Sequence, residues 1–501
     1  MRFDSGATTF KNQNDHTILM KIVLVKTPYL HLFRTETENA YPLGLAHIAS
    51  ILRASGFEVT MLDPENQGMD LEAFKKRIKE EKPDIFGIAS ATMNFEKASE
   101  FTKIARNFGA KTILGGIHAT AAYQEVIKNN NEFDYVVFGE AEETIVELCT
   151  FIRDGKPSLQ SILGLAYREK GEPKVTASRP FLEDLDKLPS PQWDLLNVGT
   201  YTLPDFIYPG KRGVTIVTAR GCPAKCIFCS VPLMNGYKFR HFSAKRIVDD
   251  METLVKKHNM EFIAFRDDTF TVSRQRVMDI CDLLMERNIK VRWYCLARVN
   301  TVDQEMLFLM KKAGCEMMHY GVESADQKIL NTLKKGINVQ QIRDAVQWTH
   351  NAGIKIAGSF IFGNPGETQE TMDNTLNLAI ELDPDIAHFF VMAPLPGTEL
   401  YEKYKSIYFD EDIGNRESSY GIYSMSEKSS FRCGDISYHD LKKQLVKATR
   451  KFYFRPHYIV KKMKQIRRYD DVKVLVHNGF ALAKSMVHLQ GSSSDVAEAA
   501  H

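Results

Sequence analysis

The chain has 501 residues, 44% hydrophobic, 26% charged and 10% aromatic, which excludes disorder along the whole length and provides for two or three globular domains. Lys and Arg number 65 against 63 for Asp and Glu, so a formal charge of +2 gives no global field for gathering nucleic acid, and any basic patch must be local. There is no apolar run of about 18 residues, and residues 1–15 lack the apolar core of a signal peptide, so the expectation is a cytoplasmic protein that neither spans a membrane nor is exported.

Residues 1–19 are polar and aperiodic and read as a disordered leader, with Met20 as a second candidate start. Lys21-Ile-Val-Leu-Val25 then reads as a buried parallel strand. Further strands are expected at 58–62, 85–90, 111–115 and 135–138, and helices at 43–55, 71–81, 95–108, near 123–128 and at 142–154. This alternation over residues 20–155 predicts a doubly wound, flavodoxin-like parallel sheet with ligands at the carboxyl ends of its strands. Residues 156–210 carry turn signals such as Leu188-Pro-Ser-Pro191 and Leu203-Pro204, and read as a linker with a little strand. Six strands follow at 214–218, 262–266, 291–296, 317–321, 355–362 and 387–392, so 211–405 reads as a partial β6/α6 barrel with its chemistry at the strand ends. Residues 406–490 are expected to be mainly helical, and 491–501 a disordered polar tail.

Eight cysteines are too few for a disulfide scaffold in a chain this long, but three of them cluster in Arg220-Gly-Cys222-Pro-Ala-Lys-Cys226-Ile-Phe-Cys229. Three thiolates on one loop can hold three corners of a [4Fe-4S] cube and leave the fourth iron open. A zinc ion held by Cys222, Cys226, Cys229 and His241 is the plainer alternative. Cys149, Cys281, Cys295 and Cys315 lie in apolar segments and read as core, while Cys433 stands alone.

The C-x3-C-x2-C spacing after the first barrel strand, with aromatic Phe228 before the last Cys, resembles the radical S-adenosylmethionine (SAM) superfamily. The resemblance implies that Cys222, Cys226 and Cys229 ligate a [4Fe-4S] cluster, whose open iron takes SAM and whose electron cleaves it to a 5'-deoxyadenosyl radical. Further matches follow successive strands: Asp267-Asp268 after the second, Arg298 after the third, Glu323 in Gly321-Val-Glu-Ser324 after the fourth, and Gly363 in Phe362-Gly-Asn-Pro-Gly-Glu-Thr368 after the fifth. Pro394-Leu-Pro-Gly-Thr398 follows the sixth. By resemblance, Phe228, Asp268, Arg298, Glu323 and Gly363 surround SAM, with Arg298 at its carboxylate and Glu323 at its ribose. The Gly363 to Gly366 loop lacks the G-x4-G-K-[ST] pattern of a phosphate loop.

Residues 20–155 resemble the cobalamin-binding domain that precedes this barrel in one large subgroup. The matching stretches are Tyr41-Pro-Leu-Gly-Leu45, Gly115-Gly-Ile-His118, Gly139-Glu140 and Glu143-Thr144. They imply that Gly115, Gly116, His118 and Glu140 lie against cobalamin, the two glycines because bare backbone admits close approach. The loop Asp63-Pro-Glu65-Asn-Gln-Gly68 departs from the cobalt-ligating Asp-x-His-x-x-Gly pattern by placing Glu65 in the His slot, so that loop offers cobalt no His.

From Arg450 to Arg468 eight Lys and Arg and no acidic residue alternate with Phe452, Phe454, Ile459, Val460 and Met463. Such a segment can lie on an anionic membrane surface or pack on the barrel with its charged face in water. Its Phe452-Tyr-Phe-Arg-Pro456 stretch resembles cobalamin-type radical SAM enzymes of lipid, hopanoid and porphyrin pathways, which implies a large apolar small-molecule substrate. Together the resemblances imply a C-methyltransferase acting on an unactivated carbon of a lipid, porphyrin-like or natural-product substrate, supplied with electrons by an external flavodoxin or ferredoxin. An oxidative or ring-forming cyclase without methyl transfer is the alternative, and a non-catalytic zinc and nucleotide binding module the alternative of another class. No three-cysteine set precedes Cys222, which disfavours a methylthiotransferase, and no RNA-binding module is visible, so no nucleic-acid partner is expected.

Overall fold

The run Ile22–Val25 is apolar at every position because the strand it forms is covered on both faces. Ile22 and Leu24 enter one buried cluster, and Val23 and Val25 another. The computed structural model describes residues 20–28, 40–203, 212–395, 397–408, 432–466 and 479. This first strand, β1 (Lys21–Lys26), lies between β2 (Glu58–Leu62) and β3 (Ile85–Ala89), followed outward by β4 (Lys111–Gly115) and β5 (Tyr135–Val137), all parallel. The small amount of strand expected in 156–210 is a hairpin, β6 (Leu165–Glu169) and β7 (Glu172–Val175), which extends this sheet antiparallel to seven strands.

The helix expected near 123–128 begins earlier, at Ile117, and kinks at Ala122. Its first turn, Ile-His-Ala-Thr-Ala-Ala, has no apolar period to announce it, and its start is set by Gly116 at φ +96°.

The second sheet holds all six expected barrel strands. They are β8 (Gly213–Ile216), β11 (Phe262–Phe265), β12 (Arg292–Ala297), β13 (Cys315–Glu323), β14 (Lys355–Phe362) and β15 (Ile386–Val391), with a short antiparallel pair, β9 (Ala219–Arg220) and β10 (Arg240–His241), inserted after β8. Each strand pairs in parallel with the next in sequence, and among the described residues the series ends at β8 and β15 without closing. The helices between strands start on side-chain caps: Ser243, Ser273, Asp303, Asn338 and Thr368 each accept a bond from an N–H of their own first turn. Leu203, Phe262, Ala264, Tyr294, Met317, Ala357 and Ile386 close the bottom of the barrel as one apolar cluster.

A single larger core cluster runs through both sheets and takes in Trp193 and Tyr201 from the segment between them. The Tyr41 ring meets Trp193 at 5.2 Å and Tyr201 at 5.1 Å, and its hydroxyl donates to the Gln192 carbonyl at 2.6 Å. The C-terminal part contributes helices Glu399–Tyr408, Tyr438–Tyr453 and Pro456–Gln465. The last helix docks by its basic face. Arg455 and Lys461 both pair with Asp383, and the Tyr458 hydroxyl donates to the Asp385 carbonyl at 2.8 Å. Phe454, Ile459, Val460 and Met463 are exposed on this segment. Arg467 and Arg468, with the expected leader 1–19 and tail 491–501, lie outside the described residues. No helix among the described residues is long and apolar enough to cross a membrane.

A Cβ at position 116 would lie 2.7 Å from the Ser90 carbonyl oxygen of the neighbouring strand end. Gly116→Ala is expected to cost about 1–2 kcal/mol for the left-handed backbone alone, before that collision is counted. At Gly115 a Cβ would meet nothing within 4 Å. Thermal melts should therefore show a clear drop for Gly116→Ala and almost none for Gly115→Ala; equal midpoints would refute this account of Gly116.

Candidate active site

The cysteine loop leaves β8 under tight restraint. The buried Asp267 carboxylate accepts from the Thr218 N–H at 2.5 Å, the Thr218 hydroxyl at 2.6 Å and the Ala219 N–H at 3.0 Å, and it pairs with Arg276 at 3.0 Å. Asp267, expected near SAM with its neighbour Asp268, is instead the strap that fixes the start of the loop. Gly221, at φ +84°, passes so close to the Lys238 carbonyl that any Cβ would collide with it. Farther along, the Ile227 N–H donates to the Leu333 carbonyl at 3.1 Å, and the Ile227 carbonyl accepts from the Leu400 N–H at 2.8 Å.

The three loop thiols are free and half-buried. Cys222 Sγ lies 3.5 Å from the Thr269 hydroxyl, and Cys226 Sγ lies 3.6 Å from Arg298 Nη1. Burial pushes the Cys229 thiol up to about 11, with further rises from Cys226, Cys222 and Asp268 nearby. Among the described residues no three or more His, Cys, Asp or Glu side chains are gathered to hold one metal ion. His241, the fourth ligand of the zinc alternative, is exposed, with Nδ1 at 2.9 Å from the Phe242 carbonyl. The Cys222, Cys226 and Cys229 thiols share one loop, as three corners of an iron-sulfur cube require.

Asp268 accepts from Asn235 Nδ2 at 3.1 Å, and burial raises its carboxyl above the ordinary range. Arg298, Glu323 and Phe228 converge on a residue that the motifs did not mark, Lys335. Its ammonium pairs with Glu323 at 2.5 Å and lies 5.9 Å above the Phe228 ring, and its carbonyl accepts from Arg298 Nη2. One sequence signal for it exists: a Cβ on Gly321 would stand 2.7 Å from Lys335 Nζ, so that glycine makes room for the pair. Glu323 itself holds φ +66°, a left-handed conformation costly for a non-glycine. Gly363 stands apart from this group. Its carbonyl accepts from the Tyr408 hydroxyl at 2.9 Å, and its Cα faces Leu441 of the C-terminal helix.

In the first domain, Gly115, Gly116 and His118 lie together at the end of β4. The close backbone approach at Gly116 is to Ser90, whereas Gly115 borders open space. His118 is buried, with Nδ1 3.3 Å from the Thr92 hydroxyl and its ring 4.1 Å from that of Phe95; burial lowers its pKa to about 4 and keeps it neutral. Glu140, expected against cobalamin, is committed elsewhere. Its buried carboxylate accepts from Arg240 Nη1 at 2.8 and 3.0 Å and from the Leu182 N–H at 2.7 Å, and pairs with Arg220 at 3.0 Å. Arg220 also grips Glu142; burial alone would raise that carboxyl, but Arg220 outweighs it and holds the group below the ordinary range. Arg240 Nη2 donates to the Asn235 carbonyl at 2.9 Å, and Asn235 in turn holds Asp268. A continuous polar chain thus joins the end of the first sheet to the cysteine loop.

Breaking a buried pair leaves a charge uncompensated, so Glu140→Gln is expected to lower stability by about 3–5 kcal/mol in denaturant titration. An unchanged midpoint would remove the network from the account of the fold. His47, stacked on Phe242 at 6.3 Å, is held at a pKa of about 4 by burial and then by the Arg220 charge. The unfolded chain takes up that proton below about 6.5, so the stability His47 contributes is complete above that pH and lost as pH falls toward 4. Between pH 7 and pH 5 the wild type should lose about 2 kcal/mol more than His47→Leu; parallel loss in both would sink the assignment.

Residues 33–149 match the B12 binding domain family, and residues 216–379 match the radical SAM superfamily. An uncharacterized methyltransferase of Pyrococcus horikoshii is 35% identical over 387 residues, covering 77% of this chain and 83% of that one. The anaerobic magnesium-protoporphyrin IX monomethyl ester cyclase of Rubrivivax gelatinosus is 32% identical, covering 73% of this chain and 66% of the cyclase. Among solved structures, the cobalamin-dependent SAM radical enzyme OxsB has the same fold, with a TM-score of 0.72 at 17% identity over 94% of this chain and 72% of that one. The chain belongs to the radical SAM enzymes that carry a B12-binding domain, a family that works with cobalamin, SAM and a [4Fe-4S] cluster and includes methyltransferases.

Proposed function

We propose that the chain is a C-methyltransferase, adding a methyl group to an unactivated carbon of a small-molecule substrate of the lipid, porphyrin-like or natural-product kind. The observation that carries this reading is the half-buried cysteine loop facing Arg298, Phe228 and the Glu323–Lys335 pair, and tied by buried ion pairs to the end of the B12-binding sheet. When bound, the cluster supplies an electron to SAM, and cobalamin supplies a methyl group for transfer.

The chain's own residues hold and orient. Cys222, Cys226 and Cys229 are the cluster ligands, kept in place by the Asp267 strap. Arg298 stands beside Cys226, where its guanidinium would meet the SAM carboxylate, and Glu323, paired with Lys335, would serve the ribose hydroxyls. Phe228 and Asp268 flank the same space, whereas Gly363, turned to Tyr408 and Leu441, holds the C-terminal helices against the strand end. Gly115 opens the end of β4 to cobalamin, with His118 buried beside it as a neutral hydrogen-bonding group.

Electrons come from an external flavodoxin or ferredoxin. The exposed Phe454, Ile459, Val460 and Met463, set among lysines, support contact with an anionic membrane surface through residues 450–468. A second reading, oxidative cyclisation without methyl transfer, is favoured by the 32% identity to the Rubrivivax cyclase.

Anaerobically reconstituted protein should hold about four irons per chain and release 5'-deoxyadenosine from SAM under reduction, and Cys222→Ala, Cys226→Ala and Cys229→Ala should each abolish that release. A wild type that keeps its irons but never cleaves SAM would overturn the reading. Product mass separates the two chemistries: methyl transfer adds one methylene, and cyclisation removes hydrogen or adds oxygen.

A further inference from the structure

Two adjacent lysines follow the helix Gln327–Thr332 and turn opposite ways. Lys334 takes a left-handed backbone, φ +51°, and its half-exposed side chain pairs with Glu399 at 2.7 Å. The next side chain points inward: Lys335 is 6% exposed, a depth at which a lysine has to be paired. Its N–H donates to the Leu330 carbonyl at 3.0 Å, its carbonyl accepts from Arg298 Nη2, and its ammonium donates to Glu323 Oε1 at 2.5 Å. Backbone and side chain of this one residue are thus anchored to two different groups of the site.

The Glu323–Lys335 pair is an expensive arrangement. Glu323 holds φ +66°, Gly321 has to stay bare because a Cβ there would stand 2.7 Å from Lys335 Nζ, and two charges are taken out of water. A buried ion pair can be replaced by apolar side chains of similar volume with little loss of stability, so stability does not account for it. Left-handed backbone at a non-glycine persists where its surroundings over-determine it, and it collects at ligand clamps. Oε1 of Glu323 is taken by Lys335, whereas among the described residues Oε2 has no hydrogen-bond partner. Arg298, held through Nη2 by the Lys335 carbonyl, has Nη1 at 3.6 Å from Cys226 Sγ. Lys335 therefore sets the separation between an open carboxylate oxygen and a guanidinium beside a cysteine of the loop.

We propose that Lys335 is a positioning residue for SAM. Its ammonium turns Glu323 Oε2 toward the ribose hydroxyls, and its carbonyl aims Arg298 at the carboxylate, so that one residue spaces the groups that hold the two ends of one ligand. This assignment rests on the reading of Glu323 as the ribose group and Arg298 as the carboxylate group. The two tasks fall to different atoms of Lys335, and a side-chain substitution removes the ribose task alone.

The test is anaerobic calorimetry on the reconstituted holoenzyme with S-adenosylhomocysteine, a thioether that keeps the ribose and carboxylate of SAM but has no sulfonium to cleave, and with its 2',3'-dideoxy and carboxamide analogues. The wild type should bind the parent about tenfold tighter than the dideoxy compound, the loss expected for hydrogen bonds to a charged group. Lys335→Met should bring that preference close to parity and leave the preference over the carboxamide unchanged, whereas a loss of packing alone would lower both together. In a Glu323→Gln background Lys335→Met should change the dideoxy preference no further, because it acts through Glu323. An iron content of about four per chain reports that each variant is assembled. Should Lys335→Met lose its irons, Lys335→Gln, which keeps a neutral donor, reads the same ratio, expected between wild type and parity. A lysine variant that holds its irons and keeps the full wild-type preference overturns the proposal alone. A wild type that binds the parent and the dideoxy compound alike overturns the ribose reading of Glu323 and the proposal with it. A protein that shows the expected pattern but never transfers a methyl group would instead remove the methyltransferase reading and leave Lys335 assigned.

Discussion

Three buried charges and one half-buried one where the two sheets meet, Glu140 and Glu142 against Arg240 and Arg220, set the geometry on which the site depends. Buried ions are tolerated only when paired and hydrogen-bonded, and here every bond has a direction. Glu140 lies three residues past the last parallel strand of the first sheet, and Arg220 stands two residues before Cys222. A slide or tilt between the sheets would strand at least one charge without its partner. Hydrophobic contact around Trp193 and Tyr201 supplies adhesion without direction; the ion network supplies the register.

The same logic divides two adjacent residues. Asp267 turns into the protein and accepts three bonds from Thr218 and Ala219, and Asp268 turns toward the thiols with a raised carboxyl held by Asn235. Successive side chains leaving a strand point opposite ways, so one carboxylate braces the loop and the next faces the cysteine thiols. A loop that presents three thiols needs both kinds, because its geometry is only as definite as the groups behind it.

Much of the fold is legible in the sequence because its signals are local. Apolar runs such as Ile22–Val25 and Phe262–Phe265, cap residues such as Asn338 and Thr368, and the cysteine spacing each act within a few positions. The β6–β7 hairpin is fainter, since β7 is exposed along its whole length and leaves no pattern. The site is legible only in part. Glu140 matches the cofactor motif yet bonds to arginines 80 and 100 positions later in the chain, and Lys335 meets Phe228 and Arg298 from a helix-end loop without a motif of its own. The contacts of His319 with Ser359 and His388 join three strands, each of which reads alone as ordinary barrel wall. Contacts between distant residues leave no mark on spacing, and the loops that host them have no period.

The apolar cluster at the lower end of the barrel takes side chains from five neighbouring strands, β11 to β15, and one, Leu203, from the segment between the two sheets. Gly213, at the start of β8, leaves the room that Leu203 fills, since a Cβ there would stand 2.6 Å from its Cδ1. The connecting segment is therefore a stopper as well as a link: the same few residues that lead out of the first sheet complete the packing of the second. Loss of the Leu203 side chain would uncork the barrel and slacken the connection in one step.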